Sequence, residues 1–441
     1  MKKGIHDIGA GSLDSRLRGN DKNNYMSFLW FLLFFLTIYV SWKKPTYATL
    51  PIIAALPAYL FRTALFGFPT TLLEAVLLGA ACGYYTGLFV RRHANKATLG
   101  DIRKNPFFWP ALALLAVATI AVFIAADTRS ALGVWRAYFL EPILLLPLFI
   151  VTLQEATARR WAFRLLAAEV ICLAVVAVLQ KIGVFAIVEP WTLERRATSI
   201  YPFPNALGLF VGPLIPFFAT LAASRSQHIR DRWLLALAAC AGFIAILASK
   251  TDGAIGAAAF TIAILGVLST RRVRQATIAA VCIILLAFAV IAPVRTKVVQ
   301  TLTFQDWSGT VRRVMWKETV EMLKTRPLFS AGLSGYKNAV APFHKDPKVE
   351  IFQYPHTLLL NIWTELGVLG IVVWTGILVV FIKVLRVRKQ DDVRSYHLAA
   401  ALALLAMLIH GLVDVPYFKN DLAVLTWFLL LIPAAIKKET A

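Results

Sequence analysis

Thirteen apolar stretches of helical length run along the chain, at about 27–41, 46–62, 70–90, 107–126, 134–153, 162–187, 203–222, 233–249, 253–270, 276–293, 356–382, 395–413 and 421–436. A bilayer-spanning helix needs about 20 apolar residues. The pattern therefore predicts an all-α polytopic membrane protein with about 12–13 transmembrane helices. The first two stretches and the pair near 233–270 are short, which predicts tilted or re-entrant pieces among them. One long hydrophilic connection, 294–355, breaks the series. Loops of that size within a compact fold are usually functional. Inside it Val311, Val314, Met315, Met322 and Leu323 recur at helical spacing before Pro327. That spacing predicts an amphipathic helix over about 310–325, lying on the membrane surface.

Composition agrees: 59% of the 441 residues are hydrophobic and only 16% are charged. A soluble domain has no core large enough for such an excess. The net charge is +22, from 46 Lys and Arg against 24 Asp and Glu. Either nucleic-acid binding or the positive-inside rule would account for it, and the location of the charges decides. The connections at 91–106 and 383–394 hold five basic residues each, and three each stand near 159–164, 225–232 and 271–274. They alternate with connections of no net charge at 63–69, 127–133 and 414–420. This alternation is the positive-inside pattern, makes the basic face cytoplasmic, and argues against nucleic acid as a partner. The cysteines, Cys82, Cys172, Cys240 and Cys282, lie in apolar runs without metal or disulfide spacing, so no metal and no cofactor is expected.

Parity places 188–202, 250–252 and the 294–355 loop on the non-cytoplasmic face, with the C-terminus cytoplasmic. It also puts the N-terminus outside if all thirteen segments cross, which conflicts with Lys2, Lys3, Arg16, Arg18 and Lys22. Either one early segment does not cross, or residues 1–25 are a non-native leader and Met26 is the start. The expected organisation is 1–25 leader, 26–293 N-terminal bundle, 294–355 external loop and 356–441 C-terminal helices.

Polar residues at the external membrane edge are the functional candidates, because charge there is costly. ERRATSIYPFPNALGL sets Arg195 and Arg196 beside a Pro/Asn turn, although a snorkelling anchor would look the same. Arg312 stands on the first turn of the amphipathic helix, where arginine is also an ordinary solvated residue. His356 follows Pro355 and is expected in the first turn of the eleventh segment, facing free backbone N–H groups suited to phosphate oxygens. Glu365, nine residues on and inside the apolar run, is expected to pair with a neighbouring element in a structural or substrate-positioning contact. Lys250 and Asp252 flank a very short external turn. Glu74 and Glu141 are expected to pair with Arg62 or Arg136; Lys181, His410 and Asp414 complete the edge charges.

RRATSIYPFPNALGL, VRRVMWKETVEMLKTRPLFSAGL, PHTLLLNIWTELGVLG and HGLVDVPYFKNDLAVLTW, in that order around the large loop, resemble the successive motifs of the O-antigen ligase and polymerase superfamily of bacterial envelope glycosyltransferases. The resemblance covers most of the chain after about residue 55. It implies a GT-C-like fold and a metal-independent, inverting glycan transfer at the periplasmic face of the inner membrane. The implied donor is a glycan on undecaprenyl diphosphate. The implied acceptor is the lipid A core for a ligase, or another carrier-linked glycan or a protein for a polymerase or O-oligosaccharyltransferase. Membrane lipids are the remaining expected partner. By position, Arg196, Arg312 and His356 match the family's catalytic residues, with Arg195, Arg313, Lys250, Asp252 and Glu365 as substrate-binding candidates. Two departures stand out: both arginine motifs are doubled, and Thr357 occupies a position where the family often has Asn. Independently of the family, arginines suit a diphosphate leaving group and a neutral histidine suits a hydroxyl nucleophile. A transporter or flippase would show internal repeats, and none relates 26–220 to 230–440.

Overall fold

The computed structural model describes residues 20–65, 68–90, 102–386 and 391–436; residues 1–19, which include most of the expected leader, lie outside the described residues. Helix α1 (Asn20–Lys43) precedes a short α2 (Thr49–Ala54) and a two-stranded antiparallel hairpin, β1 (Arg62–Leu65) with β2 (Phe68–Thr71), in which Arg62 faces Thr71. Then follow α3 (Leu72–Val90), α4 (Phe108–Ile124), α5 (Thr128–Gln154), α6 (Ala156–Lys181), α7 (Pro204–Ala223), α8 (Ile229–Ser249), α9 (Asp252–Leu268) and α10 (Arg271–Val290). The long loop carries α11 (Ala292–Leu302), α12 (Trp307–Thr325) and α13 (Tyr336–Val340). Helices α14 (Leu358–Arg386), α15 (Asp391–His410) and α16 (Asn420–Ala435) close the chain.

Among the described residues eight helices are long and apolar enough to cross a membrane, and four shorter apolar helices accompany them. The chain is a multi-pass, all-α membrane protein. Twelve apolar helices stand among the described residues where the sequence shows thirteen apolar stretches, because 46–62 does not form one continuous helix. Prolines at 45, 51 and 57 divide it into a 3-10 turn (Pro45–Tyr47), the six-residue α2 and a second 3-10 turn (Leu56–Leu60). Proline lacks the N–H that would continue a helix and clashes with the preceding turn.

Helix α7 is the centre of the bundle, packed against α6, α8, α9, α15 and α16. Nearly all its side chains are buried, as are those of α16, which fits helices that are apolar all round. Close approach depends on small residues: a Cβ on Gly208 would run into Thr251 and Ala254 at the start of α9. Helix α10 is the opposite case, with no buried side chain.

The loop helix α12 forms close to its expected place, three residues earlier, capped by Asp306, whose carboxylate accepts from the Gly309 amide at 3.0 Å. Its apolar face differs from the expectation. Met322 and Leu323 pack with Tyr336 and Val340 of α13 in a small core of their own, so this face is covered by protein rather than laid on lipid. The loop is also fastened into α14. Gly367 (φ 70°, ψ −170°) interrupts that helix, and the Val368 amide donates to the Leu328 carbonyl at 3.1 Å. The Ser334 amide donates to Glu365 at 2.6 Å, and the Trp363 indole to the Pro327 carbonyl at 2.7 Å.

Candidate functional site

The first part of the site is a loop locked onto the end of α6. Gln180 accepts from the amides of Thr198 and Ser199 at 2.9 and 2.8 Å, and donates to the Ser199 carbonyl at 2.9 Å. The Ala197 amide donates to the Ala248 carbonyl at 3.0 Å, tying the same loop to the end of α8. Immediately before these anchors Arg196 is turned inward. Its Nε donates to the Ser249 carbonyl at 3.0 Å, and its Nη2 to Asn205 Oδ1 at 2.9 Å and the Lys250 carbonyl at 3.3 Å. Its guanidinium lies 5.2 Å over the Trp191 ring. Helix α8 ends there because Lys250 adopts a left-handed conformation (φ 51°), and its last carbonyls, the negative end of the helix dipole, receive the arginine.

The hub is Asp414, in the connection between α15 and α16 and only 2% exposed. Its Oδ2 accepts from Asn205 Nδ2 at 3.2 Å, and its Oδ1 accepts from the Val415 amide at 2.9 Å and stands 3.5 Å from His356 Nδ1. That last distance is long for a hydrogen bond, but catalytic pairs commonly tighten only when substrate engages. Burial pushes the Asp414 carboxyl up, yet the His356 contact and charge, the His410 charge and the Val415 amide outweigh it and hold the group well below the usual carboxylate range. Arg312 arrives from α12, donating through Nε to the Val413 carbonyl at 3.0 Å and through Nη1 to Ser308 at 2.7 Å. One turn on, the Trp316 indole donates to the Pro355 carbonyl at 3.0 Å, which fixes the segment holding His356. Arg312 is close enough to Arg196 that the like charge, after burial, helps lower the Arg196 pKa.

His356 is not in a helical first turn. Helix α14 begins at Leu358, and its first amide already donates to the Gly411 carbonyl at 2.7 Å. Proline and histidine instead form a tight turn ahead of the helix, with His356 at φ 50° and its ring against Phe352 and Tyr354 at 5.2 and 4.9 Å. Thr357 donates to the Gly411 carbonyl at 3.3 Å, so it helps hold the two helix ends together.

The fold thus brings Arg196, Arg312 and His356 to one end of the bundle and separates them from their sequence neighbours. Arg195 is exposed, its carbonyl accepting from Lys181 Nζ at 2.8 Å, and Arg313 is exposed 3.5 Å from Thr310. Lys250 and Asp252 lie at the rim: the Lys250 ammonium donates to the Glu194 carbonyl at 2.8 Å, and Asp252 acts on Arg196 only through its charge. Glu365 serves the loop through Ser334. A second polar group stands apart, where Arg136 pairs with Glu74 at 2.8 Å and with Glu141 at 3.4 Å, and Asn420 approaches both carboxylates. Sequence reading placed Asp414 among the edge charges and Asn205 in a turn motif, but gave neither a role in the site. The signal was that both sit in the motif stretches that also hold the arginine and histidine.

Residues 235–375 match the family model described as O-antigen ligase. The match takes in the end of α8, the whole long loop with Arg312, and His356. Arg196, Asn205 and Asp414 lie outside it. None of the curated proteins compared matches the chain.

Proposed function

From the match of residues 235–375 to the O-antigen ligase family model, we propose that this multi-pass membrane protein transfers a glycan from undecaprenyl diphosphate to the lipid A core at the periplasmic face of the bacterial inner membrane. The observation that carries this reading is the continuous chain Arg196, Asn205, Asp414, His356, with Arg312 bonded to the residue before Asp414. It gathers two guanidiniums and an imidazole from three distant segments at the end of the bundle opposite the basic connections.

The chemistry follows from that grouping. Asp414 faces His356 Nδ1, which leaves Nε2 for the acceptor hydroxyl. As the hydroxyl oxygen bonds to the sugar C1, its proton passes to Nε2 and the buried carboxylate stabilises the imidazolium that forms. The C1–O bond to the diphosphate breaks on the opposite side of C1, its electron pair leaves with the phosphate, and the configuration inverts. Arg196 and Arg312, each held by the protein through Nε and one Nη, present the other Nη group and their positive charge to the developing phosphate charge without a metal ion. The ten basic residues of the 294–355 loop stand against the positive-inside tendency on this face, where an anionic lipid headgroup gives them a purpose. Lys250 and Asp252 are assigned to the rim of the diphosphate site, and Glu365 to holding the loop that carries Arg312.

The test is reconstitution of the purified protein with undecaprenyl-diphosphate glycan and a panel of acceptors in the presence of a chelator. Covalent transfer that persists in chelator and disappears in Arg312→Ala and His356→Ala supports the assignment. Full activity in both variants, or substrate flux without any covalent product, refutes it. The acceptor that is glycosylated separates ligase from polymerase or protein transferase.

A further inference from the structure

A cavity of about 200 Å³ opens at the other end of the bundle, lined by Arg159, Arg160 and Arg164 of α6, His228 before α8, Asp231 of α8 and Tyr396 of α15. Helices α6, α7, α8 and α15 therefore run between two sites: their opposite ends hold Gln180, Asn205, Ser249 and the approach to Asp414. Arg160 and Lys181, near the two ends of α6, are separated by about 30 Å at 1.5 Å per residue.

Asp231 is the one carboxylate among the lining residues, which include three arginines. It accepts from Arg164 Nε at 2.6 Å and lies 3.5 Å from Arg160 Nε. Arg159 is engaged elsewhere, donating to the Leu153 carbonyl at 2.8 Å and lying 5.2 Å over the Tyr396 ring. Tyr396 in turn accepts from Gln227 at 2.8 Å. Both Arg160 and Arg164 thus use Nε for the protein, and their Nη groups make no hydrogen bond among the described residues. The lining carries two positive charges in excess of its single carboxylate, around a space roomy enough for several waters or one phosphate with its first carbons. Planar Nη forks are suited to bind phosphate oxygens in pairs.

The surroundings are those of a membrane surface. Trp161 of α6, whose ring lies 4.9 Å from the Arg164 guanidinium, and Trp233 of α8, two residues after Asp231, are 47% and 72% exposed, as interfacial anchors at headgroup level are. Phe163 and Leu235 give the cavity an apolar wall. The geometry points to a phosphate-binding pocket on the basic face, remote from the Arg196 network, occupied by the headgroup of an anionic phospholipid and held by Arg160 and Arg164. Basic pockets between transmembrane helices commonly hold such headgroups.

The experiment uses the purified full chain in detergent and follows thermal unfolding on addition of phosphatidylglycerol, phosphatidylcholine or inorganic phosphate. Arg160→Gln is the test variant, Arg160→Lys keeps the charge while removing the fork, and Arg225→Gln removes an equal charge from outside the lining. Phosphatidylglycerol, and not phosphatidylcholine, should raise the midpoint of the wild type and of Arg225→Gln. Its apparent affinity should fall at least about tenfold in Arg160→Gln and by less in Arg160→Lys, with native mass spectrometry counting correspondingly fewer retained lipids. A midpoint shift by inorganic phosphate alone, lost in Arg160→Gln, would support the pocket and assign a soluble phosphate instead of a headgroup. No shift with either, or the same phosphatidylglycerol response in Arg160→Gln and Arg225→Gln, overturns the proposal.

Discussion

Replacing Asp414 by asparagine puts an NH2 donor into a chain that needs an acceptor at both positions. In the native arrangement Arg196 donates to Asn205 Oδ1, Asn205 Nδ2 donates to Asp414 Oδ2, and Asp414 Oδ1 accepts from the Val415 amide beside His356 Nδ1. In Asp414→Asn the new amide oxygen can keep the Val415 bond, but its NH2 then meets the NH2 of Asn205. Turning Asn205 over relieves that contact and places its NH2 against the Arg196 guanidinium, so the conflict moves along the chain without ending. The reverse orientation sets the new NH2 against the Val415 amide and makes His356 Nδ1 an acceptor, which is the wrong tautomer for Nε2 to take a proton. Loss of one charge-assisted hydrogen bond costs about 1.5–3 kcal/mol of stability. A carboxylate tightly bonded to its histidine is worth about 10⁴ in turnover when made an amide. At 3.5 Å the pair here is looser, and we expect a fall of roughly 10²–10³-fold, about 3–4 kcal/mol in the barrier. The assay is single-turnover glycan transfer in the folded variant, alongside His356→Gln and the double variant, whose losses should not add because the two residues act as a unit. An Asp414→Asn protein within about threefold of wild type, folded and saturated with donor, would show that Asp414 does not orient His356.

The remaining predictions concern the arginines, the bundle and pH. In the same transfer assay Arg196→Lys and Arg312→Lys should each lower turnover by about 10²-fold, as loss of one donor to a developing oxyanion does, while Arg195→Ala and Arg313→Ala, both exposed, should stay close to wild type. Arg136→Leu leaves Glu74 and Glu141 buried without their cation, and thermal unfolding in detergent should show a loss on the order of 3–5 kcal/mol. Gly367→Ala places a Cβ against the Leu328 carbonyl at a positive φ and should cost about 1–3 kcal/mol in the same measurement. The Asp414 carboxyl is held below its unfolded value of about 3.9, so its ionised form stabilises the fold at all pH above that value and the contribution is lost as pH falls through the folded value. The stability difference between wild type and Asp414→Asn should therefore shrink as pH falls below about pH 4.

Membrane character was legible along the chain because it depends on local composition: a run of apolar side chains must leave water wherever it sits. The failures are equally local in cause but not in appearance. The 46–62 stretch is as apolar as its neighbours, and only the backbone consequence of three prolines six residues apart distinguishes it. Helix α12 was readable from its period, but the period does not say whether lipid or the α13 segment covers the apolar face.

By itself the sequence determined the fold class and the long loop with its helix, and it singled out the three residues on which the proposed chemistry rests. Only the tertiary structure decided which member of each arginine pair turns inward. For Arg196 the choice follows from a loop clamped by Gln180 and the end of α8, and for Arg312 from the phase of α12 against Val413. It also decided that Asp414, 209 residues from its partner Asn205, is the hub. The physical reason is that burial of a helix face follows from the residues on that face. A hydrogen-bond partner depends instead on which helix ends meet, and that is fixed by the packing of α7, α8 and α15 around one another.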